Sequence, residues 1–319
     1  MSKFNHRPTD FSWIPPEDRD YGVEKETDAA LSALPVIEDV GKKVKGTWSG
    51  ETVRLDKVLE EACGYYPIVR QMIGDCVSFG WGKGIMIAMA VDILVRKQNE
   101  RWPGREICTE WLYGTGRVLV GRGRLGNDDG SIGSWQAKAV VDHGTLLRKI
   151  YEIETKKGKK ETFDLRRYSG KRAKSWGWRG LPHAMLEPTA DEHPVNPKPA
   201  LITNFDRAAD AISNGSPIAV CSNQGFNDVR DRDGFLRPTG RWNHCMLLMG
   251  VRGGRRPGLL CDNTSWGKNW VSGPKPEGIP DGCFWIEARH ATRMLSQNDS
   301  FAIPGSAGYV RTRFNHSPI

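Results

Sequence analysis

Gln71, Cys76, His244 and Asn263 have the types and the order that nucleophilic acyl chemistry needs. Cys76 stands where a long apolar stretch begins. If that stretch is a helix, the first N–H groups beside the sulfur have no intrahelical partners, and the macrodipole adds partial positive charge. Both favour thiolate, the nucleophilic form, so the sequence predicts a readily ionised thiol. The neighbouring Asp75 works the other way, because a negative charge raises a cysteine pKa. Gln71, five positions upstream, is placed to aim an amide at the same spot. His244 supplies a base, and Asn263 an acceptor that fixes the imidazole tautomer. Gln71 and the backbone N–H of Cys76 would then form an oxyanion hole.

Such residues need rigid elements to hold them. Leu55, Val58, Leu59 and Ala62 have helical spacing within 54–63. The stretch 76–98 is the strongest helix, apolar on nearly every face from Ile85 to Val95, as expected of a buried central helix. Further helices are expected over 107–120, from Ser134 through Val141, and over 206–213, with a flexible, turn-rich loop at 121–130. Apolar runs at 217–222, 244–251, 258–262 and 283–287 read as strands. A helical half therefore precedes an antiparallel β half, an α+β organisation. The expected segments are an N-terminal arm 1–55, a main domain 56–305 and a tail 306–319. Within the main domain, 56–150 form the helical lobe, 151–200 a basic insertion and 201–305 the β lobe.

The ordered set resembles the papain-like cysteine peptidases. Gln71 followed by Gly74, Asp75 and Cys76 is similar to the family's nucleophile segment. Trp242–Gly250 resembles its catalytic histidine strand, and Asn263–Trp270 its Asn-Ser-Trp-Gly segment. The strand beginning at Asp281, the Gly133-Ser134 pair and the stretch 212–220 also have counterparts. Phe11–Tyr21 resembles the approach segment of bacterial and phage-type members. The resemblance implies a two-lobed fold with the active site in the cleft between the lobes. It also implies a Cys76–His244–Asn263 triad assisted by Gln71, and hydrolysis of peptide or isopeptide bonds through an acyl-enzyme. Three departures stand out. Gln71 is one residue closer to Cys76 than usual. An extra residue separates Asn263 from Trp266, so that Asn263 or Thr264 could take the orienting position. Cys76 and His244 are 168 positions apart, against roughly 130–150 in the papain pattern.

Composition bounds the partners. The 319 residues carry a net charge of +8, concentrated in Lys156–Arg179, where Trp176 and Trp178 are interleaved. A solvated loop is the plain expectation there, and a patch for nucleic acid the sharper one. Seven scattered cysteines form no CxxC pair or zinc pattern, so reduced thiols and neither metal nor cofactor are expected. The first residues lack an apolar signal core, and no stretch was expected to span a membrane, which predicts cytoplasmic synthesis. Protein or peptide substrates are the expected partners. The alternative is a catalytically weak papain-like structural or binding component, associated with the structural proteins of a phage particle and carrying a basic polyanion-binding patch.

Overall fold

The computed structural model describes residues 11–34, 48–97, 102–154, 158–186 and 198–305. The tail 306–319, most of the proline-rich stretch before residue 198, and Lys156 and Lys157 lie outside the described residues.

Helix α1 (Tyr21–Ser32) is capped by the Asp20 carboxylate, which accepts from Val23 N at 2.8 Å. Strand β1 (Val53–Arg54) leads into α2 (Leu55–Cys63), which stops at Gly64 in the left-handed region. Helix α3 (Cys76–Leu94) is the spine of the molecule. By length and composition it is apolar enough to cross a membrane, contrary to the sequence expectation, but most of it is buried inside the protein as a core helix. Helix α4 (Thr109–Gly114) runs on into π-helical turns at Thr115–Val120, and α5 spans Gly133–Asp142.

The basic region departs from the expected loop. Strands β2 (Ile150–Glu154) and β3 (Lys160–Asp164) form a hairpin, followed by α6 (Gly170–Arg179) and α7 (His183–Leu186). Tyr151, Ile153, Leu165 and Trp176 enter the main core, so this segment completes the helical lobe. Part of its charge is consumed internally: Arg172 pairs with the buried Glu110 at 2.7 Å, and Lys174 with Asp129 at 2.6 Å. The loop expected to be flexible at 121–130 is also pinned. Buried Arg117 donates to the carbonyls of Gly126, Asp128 and Gly130, satisfying backbone acceptors that would otherwise be costly to bury.

The β lobe contains β4 (Ala200–Leu201), α8 (Phe205–Ser213), β5 (Ile218–Phe226), β6 (Pro238–Arg252), β7 (Gly258–Asp262), β8 (Cys283–Glu287), α9 (Ala288–Leu295) and β9 (Phe301–Ala302). The antiparallel sheet has the order β4-β9-β5-β6-β7-β8, with β1 added on β6. Helix α3 packs directly on β6. A Cβ at Gly80 would lie 3.0 Å from Met246 O and 3.1 Å from Cys245 Sγ, and one at Gly84 would meet Ile303 and Leu247. Two glycines one turn apart thus let the helix approach the strand that carries His244.

Candidate active site

The N-terminus of α3 and the middle of β6 meet at the junction of the two lobes. On the β side, His244 is paired across the sheet with Ser222, and its ring lies 4.7 Å from that of Trp266. His244 Nε2 lies 2.8 Å from Asn263 Oδ1. The Ser265 hydroxyl also donates to that oxygen at 3.3 Å. With Oδ1 as acceptor, Nε2 carries the proton, and Nδ1 is the ring nitrogen with the lone pair.

The extra residue before Trp266 is absorbed by a short 3₁₀ turn, Thr264–Trp266. Asp262 holds that turn, accepting from Thr264 N at 2.6 Å and from Tyr66 Oη at 2.5 Å. The Thr264 hydroxyl instead accepts from Lys83 Nζ at 3.0 Å. Asn263, not Thr264, therefore faces the imidazole. Trp242, Trp266 and Trp270 pack edge to face around it, a dry wall that strengthens polar contacts within.

On the helical side, Cys76 is fully buried. Its sulfur accepts from the Ser12 hydroxyl at 3.0 Å and from Cys245 N at 3.3 Å, one residue after the histidine. Cys76 N donates to the same Ser12 hydroxyl at 3.4 Å. The readily ionised thiol expected from the sequence is not what this arrangement gives. Burial pushes Cys76 up to about 12, outweighing the hydrogen bonds from Ser12 and Cys245 N. Residues 11–14, read in the sequence as an approach segment, run through the junction, with the Ser12 hydroxyl against the sulfur.

That strap is bonded to both lobes. Ser12 N and Trp13 N donate to Asn243 O at 2.8 and 3.0 Å. Ser131 N donates to Ser12 O at 2.9 Å, and Ile14 N to Ser131 O at 3.1 Å. Phe11 stands edge-on to Trp266. Trp13 is buried, with its indole N–H on Asp299 at 2.7 Å. Arg19 reaches the same carboxylate at 3.3 Å and donates from Nε to Ile14 O.

Gln71 sits in the loop before α3. Its backbone N–H donates to Ser265 O at 2.8 Å, and its amide nitrogen donates to Ile73 O at 3.1 Å. An amide nitrogen carries two hydrogens, so this bond engages one of them. Asp75 makes no capping bond; it takes the Tyr168 hydroxyl at 2.9 Å. Burial raises its carboxyl well above the usual range, so the neutral acid is favoured beside Cys76.

Sequence reasoning missed Ser12, Trp13, Arg19, Asp299 and Tyr168. Ser12, Trp13 and Arg19 lie in the Phe11–Tyr21 stretch that resembles an approach segment, but that resemblance gave them no role beside Cys76; Asp299 and Tyr168 belong to no motif.

No protein-family model matches the chain, and no curated protein matches it. Solved structures do resemble it. The Amb a 11 cysteine protease, a ragweed pollen allergen solved in its proform, superposes with a TM-score of 0.50 at 12% identity, covering 98% of this chain and 82% of that one. Procathepsin B S9 from Trypanosoma congolense superposes with a TM-score of 0.50 at 10% identity, covering 95% and 93%. At such identity the likeness concerns the fold. The chain therefore has the papain-like fold, a helical lobe and an antiparallel β lobe that meet at Cys76 and His244.

Proposed function

We propose that the chain is a cysteine peptidase of papain-like mechanism, held latent by its own residues 11–19. The supporting observation is the alignment at one junction of an Asn263-oriented imidazole with a thiol bonded to the next backbone N–H. His244 Nδ1 takes the Cys76 proton, and the thiolate attacks a peptide or isopeptide carbonyl. The oxyanion is stabilised by Cys76 N and by the Gln71 amide. Ser12 Oγ already accepts from Cys76 N, so it stands where the substrate's carbonyl oxygen would lie. His244 then protonates the leaving amine, and water releases the acyl group.

Activity requires that the strap leave. In the full-length Trp13→Gly/Arg19→Ala variant, iodoacetamide should label Cys76 rapidly near neutral pH, and casein should be hydrolysed. Replacing Cys76 by Ala should end both. If the unstrapped protein hydrolyses no peptide and its thiol still reacts only near pH 8.5, the value of a free thiol, the fold serves as a binding component without turnover.

A further inference from the structure

We propose that Cys221 and Cys245 are a resolving thiol pair, which takes the oxidising equivalents of hydrogen peroxide from Cys76 and returns Cys76 as a free thiol. This rests on the peptidase reading only in that the Cys76 thiol must become reactive; the pair itself has no part in that mechanism.

Cys221 on β5 and Cys245 on β6 stand directly opposite each other in the antiparallel register. Cys221 N donates to Ser300 Oγ at 3.2 Å, and the same hydroxyl donates to Cys221 O at 3.4 Å. The backbone groups of Cys221 thus point away from β6. That makes a non-hydrogen-bonded pair, whose Cα atoms are only about 4.5 Å apart. Disulfides accept Cα separations from about 4.4 Å, so the two residues can be bridged with little backbone movement. Burial pushes both thiols up. The hydrogen bond that Cys221 donates to Cys245 raises Cys221 further and eases ionisation of Cys245. Cys245 is therefore the first of the two to act as a nucleophile.

The pair adjoins Cys76. Cys245 N donates to Cys76 Sγ at 3.3 Å. A Cβ at Gly80 would lie 3.1 Å from Cys245 Sγ. Gly80 is one turn beyond Cys76 on the same face of α3, where neighbouring Cβ positions are about 5–6 Å apart. On the other side, a Cβ at Gly133 would lie 3.0 Å from Cys221 Sγ. Glycines at the starts of α3 and α5 thus leave room for the two sulfurs.

The relay has three steps. The Cys76 thiolate attacks one peroxide oxygen, the O–O bond breaks, and hydroxide leaves a sulfenic acid behind. The Cys245 thiolate attacks that sulfur, the S–O bond breaks, and a second hydroxide departs as a Cys76–Cys245 disulfide forms. Cys221 then attacks the Cys245 sulfur, and Cys76 leaves as thiolate. The protons of Cys221 and Cys245 convert the two hydroxides to water. Two thiols are oxidised to one disulfide, and one peroxide is reduced to two waters.

Peptide mapping tests this in full-length Trp13→Gly/Arg19→Ala protein, treated with hydrogen peroxide, then catalase, then iodoacetamide in denaturant without reductant. Casein hydrolysis by the untreated sample is a separate readout. The expected map has Cys221 joined to Cys245 and Cys76 alkylated. Cys221→Ala should stop the relay at the Cys76–Cys245 disulfide, and Cys76→Ala should lose the bridge over the same exposure. Cys76 found as sulfinic or sulfonic acid, with Cys221 and Cys245 still alkylated, would overturn the relay and leave the peptidase reading standing. A Cys221–Cys245 bridge that forms equally fast in Cys76→Ala, or no oxidation of any of the three thiols, would also overturn it. The expected map from a sample that hydrolyses no casein would support the relay and overturn only the peptidase reading.

Discussion

The two sides of the junction are built on opposite plans. The His244 side is self-contained: His244, Asn263 and Trp266 are positioned by β6, β7 and a turn that Asp262 holds. The Cys76 side is completed by a visitor. Cys76 takes its hydroxyl partner from Ser12, 64 positions earlier, and burial pushes its thiol up to about 12. Orientation of the His244 ring is thus built into the body of the protein, whereas in the proposed mechanism reactivity of the sulfur depends on where the N-terminal arm lies.

The largest effect that would break this contrast is loss of the nucleophile itself. With the strap loosened, Cys76→Ala or His244→Ala should lower peptide hydrolysis by at least about 10³-fold while circular dichroism shows the fold retained. Full activity of either variant would remove the mechanism. Next in size is release of the strap. Trp13→Gly with Arg19→Ala removes a charged and a neutral hydrogen bond to Asp299, so alkylation of Cys76 should accelerate by about 10- to 100-fold.

The pH profile sharpens the same point. The strapped thiol has a raised pKa, so the closed state holds its proton more tightly than the open state. Closure is favoured fully below the pKa of the unstrapped thiol, which the proposed mechanism sets near or below neutral, and is progressively lost as pH rises from there toward about 12. The protection of the Ser12 and Trp13 amides against hydrogen exchange, relative to their intrinsic rates at each pH, should fall over that interval in the parent protein, and that fall should disappear in Cys76→Ala.

Smaller effects test the self-contained side. Asn263→Ala should reduce kcat by about tenfold or more, through loss of one hydrogen bond to a ring that becomes charged. Thr264→Val should not, since its hydroxyl faces Lys83. The smallest change is Tyr168→Phe, which removes the hydroxyl joining Asp75 and Met72 N. We expect about 1–3 kcal/mol lost in denaturant unfolding, with alkylation of Cys76 in the strapped protein little altered.

How much of this was legible in the sequence depended on whether the information was local. The helix start at Cys76 and the strands around His244 and Cys261 are written in continuous apolar runs, and the structure has elements there. The pairing of His244 with Asn263 instead of Thr264 was not decidable, because it turns on a 3₁₀ turn whose anchor, Asp262, is held from distant Tyr66 and Lys83. The basic stretch was misread as a loop because its charge masks a sparse apolar pattern: Tyr151 and Ile153 alternate on one short strand, and Trp176 is one of few apolar residues on its helix. The reactivity of the thiol was misjudged for a related reason. A helix N-terminus is a local feature, but burial of the sulfur is a tertiary one, and here burial wins. The contact between Trp13 and Asp299 joins residues 286 positions apart, beyond any periodicity.

Along the chain, the strap leads through α1 and the residues that follow it to β1. Its hold on the cleft is therefore an intramolecular equilibrium, supported by a local concentration that a short tether places in about the millimolar range. One backbone cut between Ser32 and Val53 would leave every contact of Ser12, Trp13 and Arg19 in place at that instant, yet would change the law that governs them. Occupancy would become bimolecular and would fall with dilution. A single hydrolysis far from Cys76 would then act as a timer, with the protein's own concentration setting how long the nucleophile stays covered.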